Sequence, residues 1–301
     1  MKAAVIDIGT NSCRLLIAEK ESAQSLKVLE RKLEITRLGE GVDEKKELKR
    51  EAVERVIAAL KKYKEIIDQH HIKRVRVVGT SALRDVKNSK LLAEEMKKLG
   101  LNLEIISGQK EAELNYRGAV SDLENNFLLI DIGGGSTEFV WPESGELNFK
   151  SLDIGCVRMT ERYISNPEAE IKNSHLHQMK DNIFQCLNNN LVLNKNYKIK
   201  GVGGTITTLA AIKLKMEVYD SEKIENLKVE KYEINKIINK LASLSLKERK
   251  KVKGLQPKRA DIITAGLIIL KVILDYVDTD ELYVSDHDLL YGLLKNELLI
   301  T

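Results

Sequence analysis

Two stretches of the chain decide its fold, because both carry the same pattern. Residues 3–14 read AAVIDIGTNSCR, and residues 127–138 read FLLIDIGGGSTE. In each stretch an apolar strand ends in Asp-x-Gly, and small hydroxyl residues then lead into a second strand. Asp7, Gly9 and Ser12 recur 124 residues later. Two homologous α/β halves explain this recurrence better than chance does.

The predicted elements repeat in the same order around these stretches. In the first half we predict a β-hairpin, a third strand, a long helix, and then alternating strands and helices, at 3–8, 13–19, 25–36, 47–69, 74–79, 88–99, 102–106 and 109–121. In the second half we predict a strand at 127–132, strands at 137–141 and 146–152, helices within 156–190, a strand at 198–202 that feeds a helix, helices near 231–243 and 258–277, a strand at 281–285 and a helix at 288–299.

A second repeat accompanies the first, since Val78-Gly79-Thr80 recurs 125 residues later as Gly203-Gly204-Thr205, again at a strand end. We therefore predict an α/β protein whose two halves face an interdomain cleft. The first domain is expected to span residues 1–124 and the second residues 125–301, with the segment 288–301 able to pack back on the first. The polar stretch 122–126 is the expected boundary.

Composition narrows the class of protein. Lys and Arg total 49 against 45 acidic residues, and this net charge of +4 is not gathered into one stripe, so no specific nucleic-acid partner is predicted. A hydrophobic share of 43% with 31% charged residues excludes a disordered chain and an integral membrane protein. The three cysteines form no CxxC pair. The N-terminus turns polar after eight residues, so we expect a cytoplasmic protein without a leader.

The Asp-x-Gly loops are typical of phosphate handling. Glycines let backbone N–H groups approach an anion, and the Ser and Thr hydroxyls add donors. The strand-end aspartates, Asp7 and Asp131, would repel a phosphate directly, so they fit ligands of a divalent cation that bridges to it. A single such loop is more often an ordinary hairpin, whereas the repeated pair favours a phosphate clamp.

Further candidate groups lie at other strand ends. Gly203-Gly204-Thr205 opens a helix and reads as a third phosphate-type loop, with a plain helix cap as an equal alternative. Arg84 occupies the equivalent strand end in the first half and could grip a phosphate with two hydrogen bonds, or pair with Asp85 at the surface. Asp286-His287-Asp288 looks like a metal cluster, but neighbours on a strand point to opposite sides, so a capping role is favoured.

Seven motifs together resemble the exopolyphosphatase/guanosine pentaphosphate phosphohydrolase (Ppx/GppA) family. They read VIDIGTNSCRLLI, VVGTSALRD, ISGQKEAEL, LLIDIGGGSTEFV, SLDIGCVRMTE, GVGGTITTLAAI and RADIITAG, and they follow the expected order along nearly the whole chain. The resemblance implies two ribonuclease-H-like domains of the actin-like ATPase superfamily. It also implies a hydrolase that removes terminal phosphate from inorganic polyphosphate or from the stringent-response nucleotide pppGpp. An activated water would attack in line with the help of a divalent metal, Mg²⁺ by expectation and Mn²⁺ as the alternative.

The resemblance also assigns roles to residues. Glu111 matches the general base that activates water, and closure of the halves is expected to bring it to the phosphate. Asp131 and Glu138 match acidic residues linked to catalysis and metal, and Asp7 joins them as a metal ligand. The expected phosphate-binding residues are Gly9, Thr10, Asn11, Ser12, Arg14, Arg84, Gly133, Gly134, Gly135, Ser136, Gly203, Gly204 and Thr205.

Two positions depart from the family pattern. Lys110 stands where a glutamate is usual, and the segment Ser285–Leu294 lacks an arginine, which puts its contact with substrate in doubt. The chain stops at residue 301, where longer relatives add a helical region, so the short two-domain form is expected.

Alternatives from other classes stay open on the sequence. One is an acetate- or sugar-type kinase of the same superfamily, and another is a non-catalytic, actin-like protein that binds nucleotide or polyphosphate. A homodimer is an open alternative to a monomer. The lysine-rich segments 45–50, 61–64 and 247–253 are expected to be mostly solvated helix faces.

Overall fold

The computed structural model describes residues 1–22, 25–120, 126–143, 146–193 and 197–299. The chain divides into two compact units, one made of Met1–Gly118 with His287–Thr301 and the other of Ala119–Asp286. The expected boundary between residues 124 and 125 lies outside the described residues.

The strands form two mixed sheets. In chain order they are β1 (Lys2–Ile8), β2 (Ser12–Lys20), β3 (Leu26–Ile35), β4 (Val75–Gly79), β5 (Leu103–Ile105), β6 (Phe127–Ile132), β7 (Thr137–Glu143), β8 (Glu146–Leu152), β9 (Lys198–Val202), β10 (Lys228–Glu230) and β11 (Glu281–Val284). The first sheet has the order β3-β2-β1-β4-β5, and the second has β8-β7-β6-β9-β11-β10. In each, three antiparallel strands are followed by two that run parallel to the first strand of the half. In the second sheet, β10 then pairs antiparallel with β11 at the edge. This repeated topology confirms the predicted ribonuclease-H-like fold class.

Helices cover the sheets. They are α1 (Val42–Lys45), α2 (Arg50–Gln69), α3 (Ser81–Arg84), α4 (Lys90–Lys98), α5 (Gly108–Ala119), α6 (Cys156–Tyr163), α7 (Asn173–Asn190), α8 (Gly203–Lys213), α9 (Ser221–Ile224), α10 (Lys231–Ala242), α11 (Leu246–Arg249), α12 (Ile263–Val277) and α13 (Leu289–Leu298). The predicted helix at 258–277 starts later than expected, because Pro257–Arg259 forms a separate 3-10 turn. The short strand β10 was not predicted.

Both faces of the first sheet are buried. Alternate residues of β1 and β2 point to opposite faces. Ile6 and Leu15 pack with α2 and α4, whereas Val5 and Leu16 pack with α5 and α13. The helix α13 thus belongs to the first unit although it ends the chain. In the second unit, α12 is buried along almost its whole length against the sheet and α7.

Cross-strand register shows how closely the halves repeat. Asp7 lies opposite Arg14 on β2 and Val78 on β4. Asp131 lies opposite Glu138 on β7 and Val202 on β9, and each of these residues follows its counterpart by 124 positions. The predicted offset of 125 for the second repeat is therefore wrong. The run of glycines allowed an alignment one residue out of step, and only the strand pairing fixes the match.

One charged residue in the lysine-rich segment 247–253 is not solvated. Arg249 is fully buried, and its guanidinium donates to the backbone carbonyls of Leu244, Ala260, Pro167 and Ala169 at 2.7–3.2 Å. Desolvation lowers its pKa. It ties three loops together, which makes it a structural residue. Among the described residues, no helix combines the length and the apolar character that crossing a membrane requires.

Candidate functional site

The β1–β2 loop presents its backbone amides on one side. Gly9 N–H donates to Ser12 O at 2.9 Å, which closes the turn. The segment 36–39 donates three backbone hydrogen bonds, at 2.8–3.0 Å, to the carbonyl oxygens of Thr10 and Asn11. Across a trans peptide, the N–H points opposite to the preceding carbonyl. The amides of Asn11 and Ser12 therefore point away from the segment 36–39.

The β6–β7 loop is built in the same way. Gly133 N–H donates to Ser136 O at 3.0 Å. The first amides of α6 donate to the carbonyls of Gly133 and Gly134 at 2.9–3.2 Å, and the buried Arg158 donates through Nε to Gly135 O at 2.7 Å. With three successive carbonyls held towards α6, the amides of residues 134–136 point the other way. Successive amides on one side form a concave anion site of the kind found in phosphate loops.

Asp7 and Arg14 form an ion pair at the end of β1. Arg14 donates through Nε and Nη2 to Oδ2 of Asp7 at 3.0 and 2.6 Å, and through Nη1 to Oδ2 of Asp288. Burial raises the pKa of Asp7, and the Arg14 guanidinium opposes that rise. Asp288 also caps α13 by accepting from Leu290 N–H, as the capping prediction for this segment expected. Arg14, a predicted phosphate-binding residue, is thus held between two carboxylates.

In the second half two carboxylates meet instead. Asp131 and Glu138 are directly opposite each other on β6 and β7, and Glu138 is opposite Ser151 on β8. Ser151 Oγ donates to Oε1 of Glu138 at 2.8 Å, which orients this almost fully buried carboxylate. Directly opposed residues have Cβ atoms about 4.5–5.5 Å apart, and like charges there are destabilising. Two neighbouring carboxylates of this kind are able to hold a divalent cation.

The start of α8 contacts the same carboxylate. Gly203 has a φ of +81°, and a Cβ there would overlap Oδ1 of Asp131. A Cβ at Gly204 would overlap the guanidinium of Arg259. Glycine is therefore required at both positions, because the Asp131 carboxylate closely approaches Gly203 and the Arg259 guanidinium closely approaches Gly204. Both glycines lie at the N-terminus of α8, the positive end of its dipole. Thr205 Oγ1 donates to Ile132 O at 3.0 Å, so its hydroxyl joins α8 to β6. The N-cap residue of α8, Val202, makes no side-chain capping hydrogen bond.

The predicted base Glu111 and the predicted phosphate ligand Arg84 are neighbours. Arg84 Nη1 donates to Oε2 of Glu111 at 2.6 Å and to Ile106 O at 3.1 Å. Glu111 is buried near the start of α5, and Arg84 ends α3. The structure brings these two predicted site residues together, as an ion pair rather than as separate groups.

The donor set can be tested against the implied divalent cation. Within the described ranges, no cluster of three or more His, Cys, Asp or Glu side chains is placed to hold a metal ion. Mg²⁺ commonly uses one or two carboxylates, with water and substrate phosphates completing its octahedron. Asp131 and Glu138 fit that mode. Asp7 fits it less well, because its Oδ2 is engaged by Arg14.

Two buried polar atoms mark the first-half loop. In the described part of the chain, Oδ1 of Asp7 and Nδ2 of Asn11 are buried without a hydrogen-bond partner. An unsatisfied buried polar group is costly, and a bound ion or ligand is one way in which such a group becomes satisfied. The Asp7 oxygen could bind a cation, and the Asn11 amide nitrogen could donate to a phosphate oxygen. The two atoms therefore fit a ligand that carries both groups.

Other predicted features have structural explanations. Lys110 pairs with Glu113 at 3.1 Å, so its charge is balanced on its own helix. In the segment Ser285–Leu294, Ser285 Oγ and the amide of Asp286 bind Glu225 at 2.7–3.2 Å. Cys13 and Cys156 are buried, and burial raises the pKa of Cys156 to about 11, which excludes it as a nucleophile at neutral pH.

The sequence reasoning missed three arginines. Arg158 donates a hydrogen bond to the β6–β7 loop, and the guanidinium of Arg259 packs against the backbone of Gly204. Arg55 donates to Thr36 O and Arg37 O at 2.7 and 3.2 Å, and so holds the segment behind the β1–β2 loop. Arg158 and Arg259 lie inside the motifs GCVRMTE and RADIITAG, which was the available signal. Arg55 sits on an amphipathic helix with other charged residues, so nothing local distinguishes it.

Comparison with known proteins gives a consistent result. The chain matches the Ppx/GppA phosphatase family over residues 16–300. It is 36% identical over 309 residues to exopolyphosphatase 2 of Mycobacterium tuberculosis, with 97% of each chain covered. It is 42% identical over 308 residues to a bifunctional 3-dehydroquinate synthase/phosphatase of Fusobacterium nucleatum, of which it spans 45% while 96% of its own length is covered.

Solved structures agree with this. A Ppx/GppA family member from Aquifex aeolicus has a TM-score of 0.81 at 32% identity, covering 99% of this chain and 97% of that one. An exopolyphosphatase from Cytophaga hutchinsonii has a TM-score of 0.88 at 28% identity, with the same shares covered. A repeated ribonuclease-H-like fold with an anion loop in each half defines a phosphate-handling class of protein. Within it, this chain belongs to the Ppx/GppA phosphatase family.

Proposed function

We propose that this protein is a metal-dependent phosphohydrolase that removes terminal phosphate from inorganic polyphosphate, with pppGpp as a second substrate. The observation that carries the proposal is the loop of residues 133–136. Its carbonyls are tied to α6, its amides are presented on the other side, and the carboxylates of Asp131 and Glu138 flank it.

Anion binding in this proposal rests on backbone groups. The amides of residues 134–136 bind phosphate oxygens, and the amides of Asn11 and Ser12 form a separate anion site of the same kind on the β1–β2 loop. The N-terminus of α8 adds its positive end, and Arg259 adds a full charge beside Gly204. These groups are held before substrate arrives, so binding costs little reorganisation.

Asp131 and Glu138 would hold the divalent cation, Mg²⁺ by preference with Mn²⁺ as a substitute. When bound, that ion neutralises charge on the phosphoryl oxygens. The carboxylates fix its place through their strand register, and Ser151 fixes the rotamer of Glu138. Without a cation, the same two carboxylates would repel the substrate.

Glu111 accepts the proton of the attacking water. In the substrate-free protein its Oε2 is engaged by Arg84 at 2.6 Å, and an ion-paired carboxylate is a weak base. A substrate phosphate competes for the Arg84 guanidinium, because bidentate arginine–phosphate pairs are strong. Transfer of Arg84 to phosphate would take the guanidinium away from Glu111 and make its carboxylate a stronger base, so the base would become more active when substrate is bound.

The substrate is assigned from relatives and from chemistry. The relatives from M. tuberculosis and C. hutchinsonii are named exopolyphosphatases, and the F. nucleatum relative carries a phosphatase name without a stated substrate. Amide loops and arginines recognise phosphate oxygens and make no demand on a nucleoside. Inorganic polyphosphate therefore suits the described groups, and pppGpp presents the same terminal phosphoryl chemistry.

The deciding experiment measures phosphate release in parallel from long polyphosphate, short polyphosphate and pppGpp, with Mg²⁺, with Mn²⁺ and with chelator. We expect release from polyphosphate that chelator abolishes and that Asp131→Asn removes. Glu143→Gln, at the exposed end of β7, is the matched control and should keep activity. Phosphate transfer from ATP to acetate or a sugar, without net release, would identify a kinase instead. Substrate binding without turnover would identify a non-catalytic protein.

A further inference from the structure

The strand β8 is an edge strand that lacks the usual protection. It ends the second sheet, with no further strand beyond it among the described residues. The other edges are blunted. β3 is interrupted by a register shift and has five charged residues in ten, and β5 and β10 have three residues each. β8 has seven residues and pairs with β7 without a shift. Long regular edges attract further strands unless they are protected.

The exposed face of β8 is apolar. Leu147 and Phe149 are 41% and 38% exposed, and alternation places both on the same face of the strand. Between and beside them lie Glu146, Asn148 and Lys150, which complete a short segment with one charge at each end. The segment 146–150 therefore combines an unpaired backbone edge, two exposed apolar side chains and two opposite charges.

This segment is complementary to itself. A twofold axis perpendicular to a sheet makes the added strand antiparallel, and it places one residue opposite its own copy. With Asn148 on the axis, Glu146 lies opposite Lys150 of the second copy, and Leu147 lies opposite Phe149. Each pair occurs twice. Centring the axis on Leu147 or Phe149 instead would bring Asn148 opposite a charged residue, and Leu147 would no longer lie opposite Phe149.

We propose that β8 is a homodimer interface, in which the segments 146–150 of two copies pair antiparallel about Asn148. The occupant is a second copy because both the charges and the apolar side chains match under a twofold axis. The segment stops before Ser151, so the Ser151–Glu138 hydrogen bond stays within each subunit. A five-residue strand pair is a small interface, which predicts a weak dimer that forms in the micromolar range.

Disulfide crosslinking tests the register. On a Cys186→Ser background, which removes the half-exposed thiol, Asn148→Cys places two thiols across the axis. Directly opposed Cα atoms in an antiparallel pair are about 4.5–5.5 Å apart, within the range for a disulfide. Glu146→Cys is the matched control, because its own copy lies four residues along the strand, about 13 Å away. We expect a crosslinked dimer for the first variant and not for the second.

Charge exchange tests the pairing independently, by sedimentation velocity over a concentration series. Lys150→Glu turns two attractive pairs into two repulsive ones and should weaken dimerisation about tenfold or more. The double variant Glu146→Lys with Lys150→Glu restores both pairs and should recover the dimer. These readouts do not depend on phosphatase activity. The proposal is overturned by a protein that stays monomeric at about 100 µM, by equal crosslinking of both cysteine variants, or by a dimer that Lys150→Glu leaves unchanged.

Discussion

Arg14 and Glu138 occupy the same position in the two halves of the chain, each directly across a hairpin from the strand-end aspartate. In the first half the aspartate meets an arginine, and its charge is neutralised within the protein. In the second half the aspartate meets another carboxylate, and such a pair of acidic side chains is able to hold a divalent cation. The repeat therefore conserves the backbone while the chemistry differs, and the proposed cation site belongs to the second half.

Loss of Glu138 should impair use of the metal without unfolding the protein. We expect Glu138→Gln to lower turnover by at least about a hundredfold, because one of two carboxylates that hold the cation becomes neutral. Ser151→Ala keeps the carboxylate but loses its orienting hydrogen bond, so half-maximal activity should need about tenfold more Mg²⁺. A Mg²⁺ titration of phosphate release measures both effects. An unchanged Mg²⁺ requirement in both variants would place the cation elsewhere.

Glu111→Gln should remove the base and leave substrate binding intact. Turnover is expected to fall at least about a hundredfold, the usual scale for general-base assistance. Glu113→Gln is the control on the same helix, since Glu113 pairs with Lys110 and Arg117 instead. Arg84→Gln removes the guanidinium from Glu111 and also loses the proposed phosphate contact, so KM should rise in that variant. Near-normal turnover in Glu111→Gln would move the base to another residue.

Removal of Arg14 should make the free energy of unfolding depend more strongly on pH. The usual pKa of the Asp7 carboxyl is 3.8, and burial raises it in the folded protein while Arg14 opposes the rise. Without Arg14 the folded-state pKa of Asp7 rises further. The folded variant then binds more protons than the unfolded chain above about pH 4, so its stability falls as pH increases. We expect Arg14→Gln to lose about 3–5 kcal/mol near neutral pH, and less near pH 4.

Urea unfolding at several pH values measures this effect. The double variant Asp7→Asn with Arg14→Gln removes the Asp7 charge and leaves Asp288 as the buried carboxylate that has lost Arg14, so the added pH dependence should become smaller. Arg50→Gln removes an exposed arginine and serves as the control. A pH-independent deficit in Arg14→Gln would show that Asp7 does not carry the effect.

Arg55 should act on substrate affinity from a distance. It contacts no predicted phosphate ligand, but it donates to Thr36 O and Arg37 O, and that segment in turn holds the β1–β2 loop. Arg55→Gln loses hydrogen bonds from a charged donor and should raise KM about tenfold, with a smaller change in kcat. Glu40→Gln removes the ion pair of Arg55 but leaves its carbonyl contacts, so it is the control. Equal loss in both variants, or a loss in kcat alone, would contradict a positioning role.

Much of the fold was predictable because it depends on local sequence patterns. The hairpins at both Asp-x-Gly stretches, the order of elements along the chain and most element bounds follow from apolar periodicity and from glycine loops. The capping role of Asp288 was also predictable, since it stands at the start of a helical pattern. The register of the second repeat was not, because neighbouring glycines make two alignments look alike until a parallel partner strand fixes one.

The sequence by itself determined that the chain has two related halves, that each carries a glycine-containing loop after a strand-end aspartate, and which residues stand at the strand ends. Only the tertiary structure decided how the charges are paired. Arg14 meets Asp288, 274 residues away, Glu111 meets Arg84, and Arg259 lies on Gly204. The secondary structure of a segment depends mainly on residues that are near in the chain. The partner of a buried charged side chain depends on which distant segments the tertiary fold brings next to it. For this reason the loops could be predicted from the sequence, whereas the ion pairs around them could not.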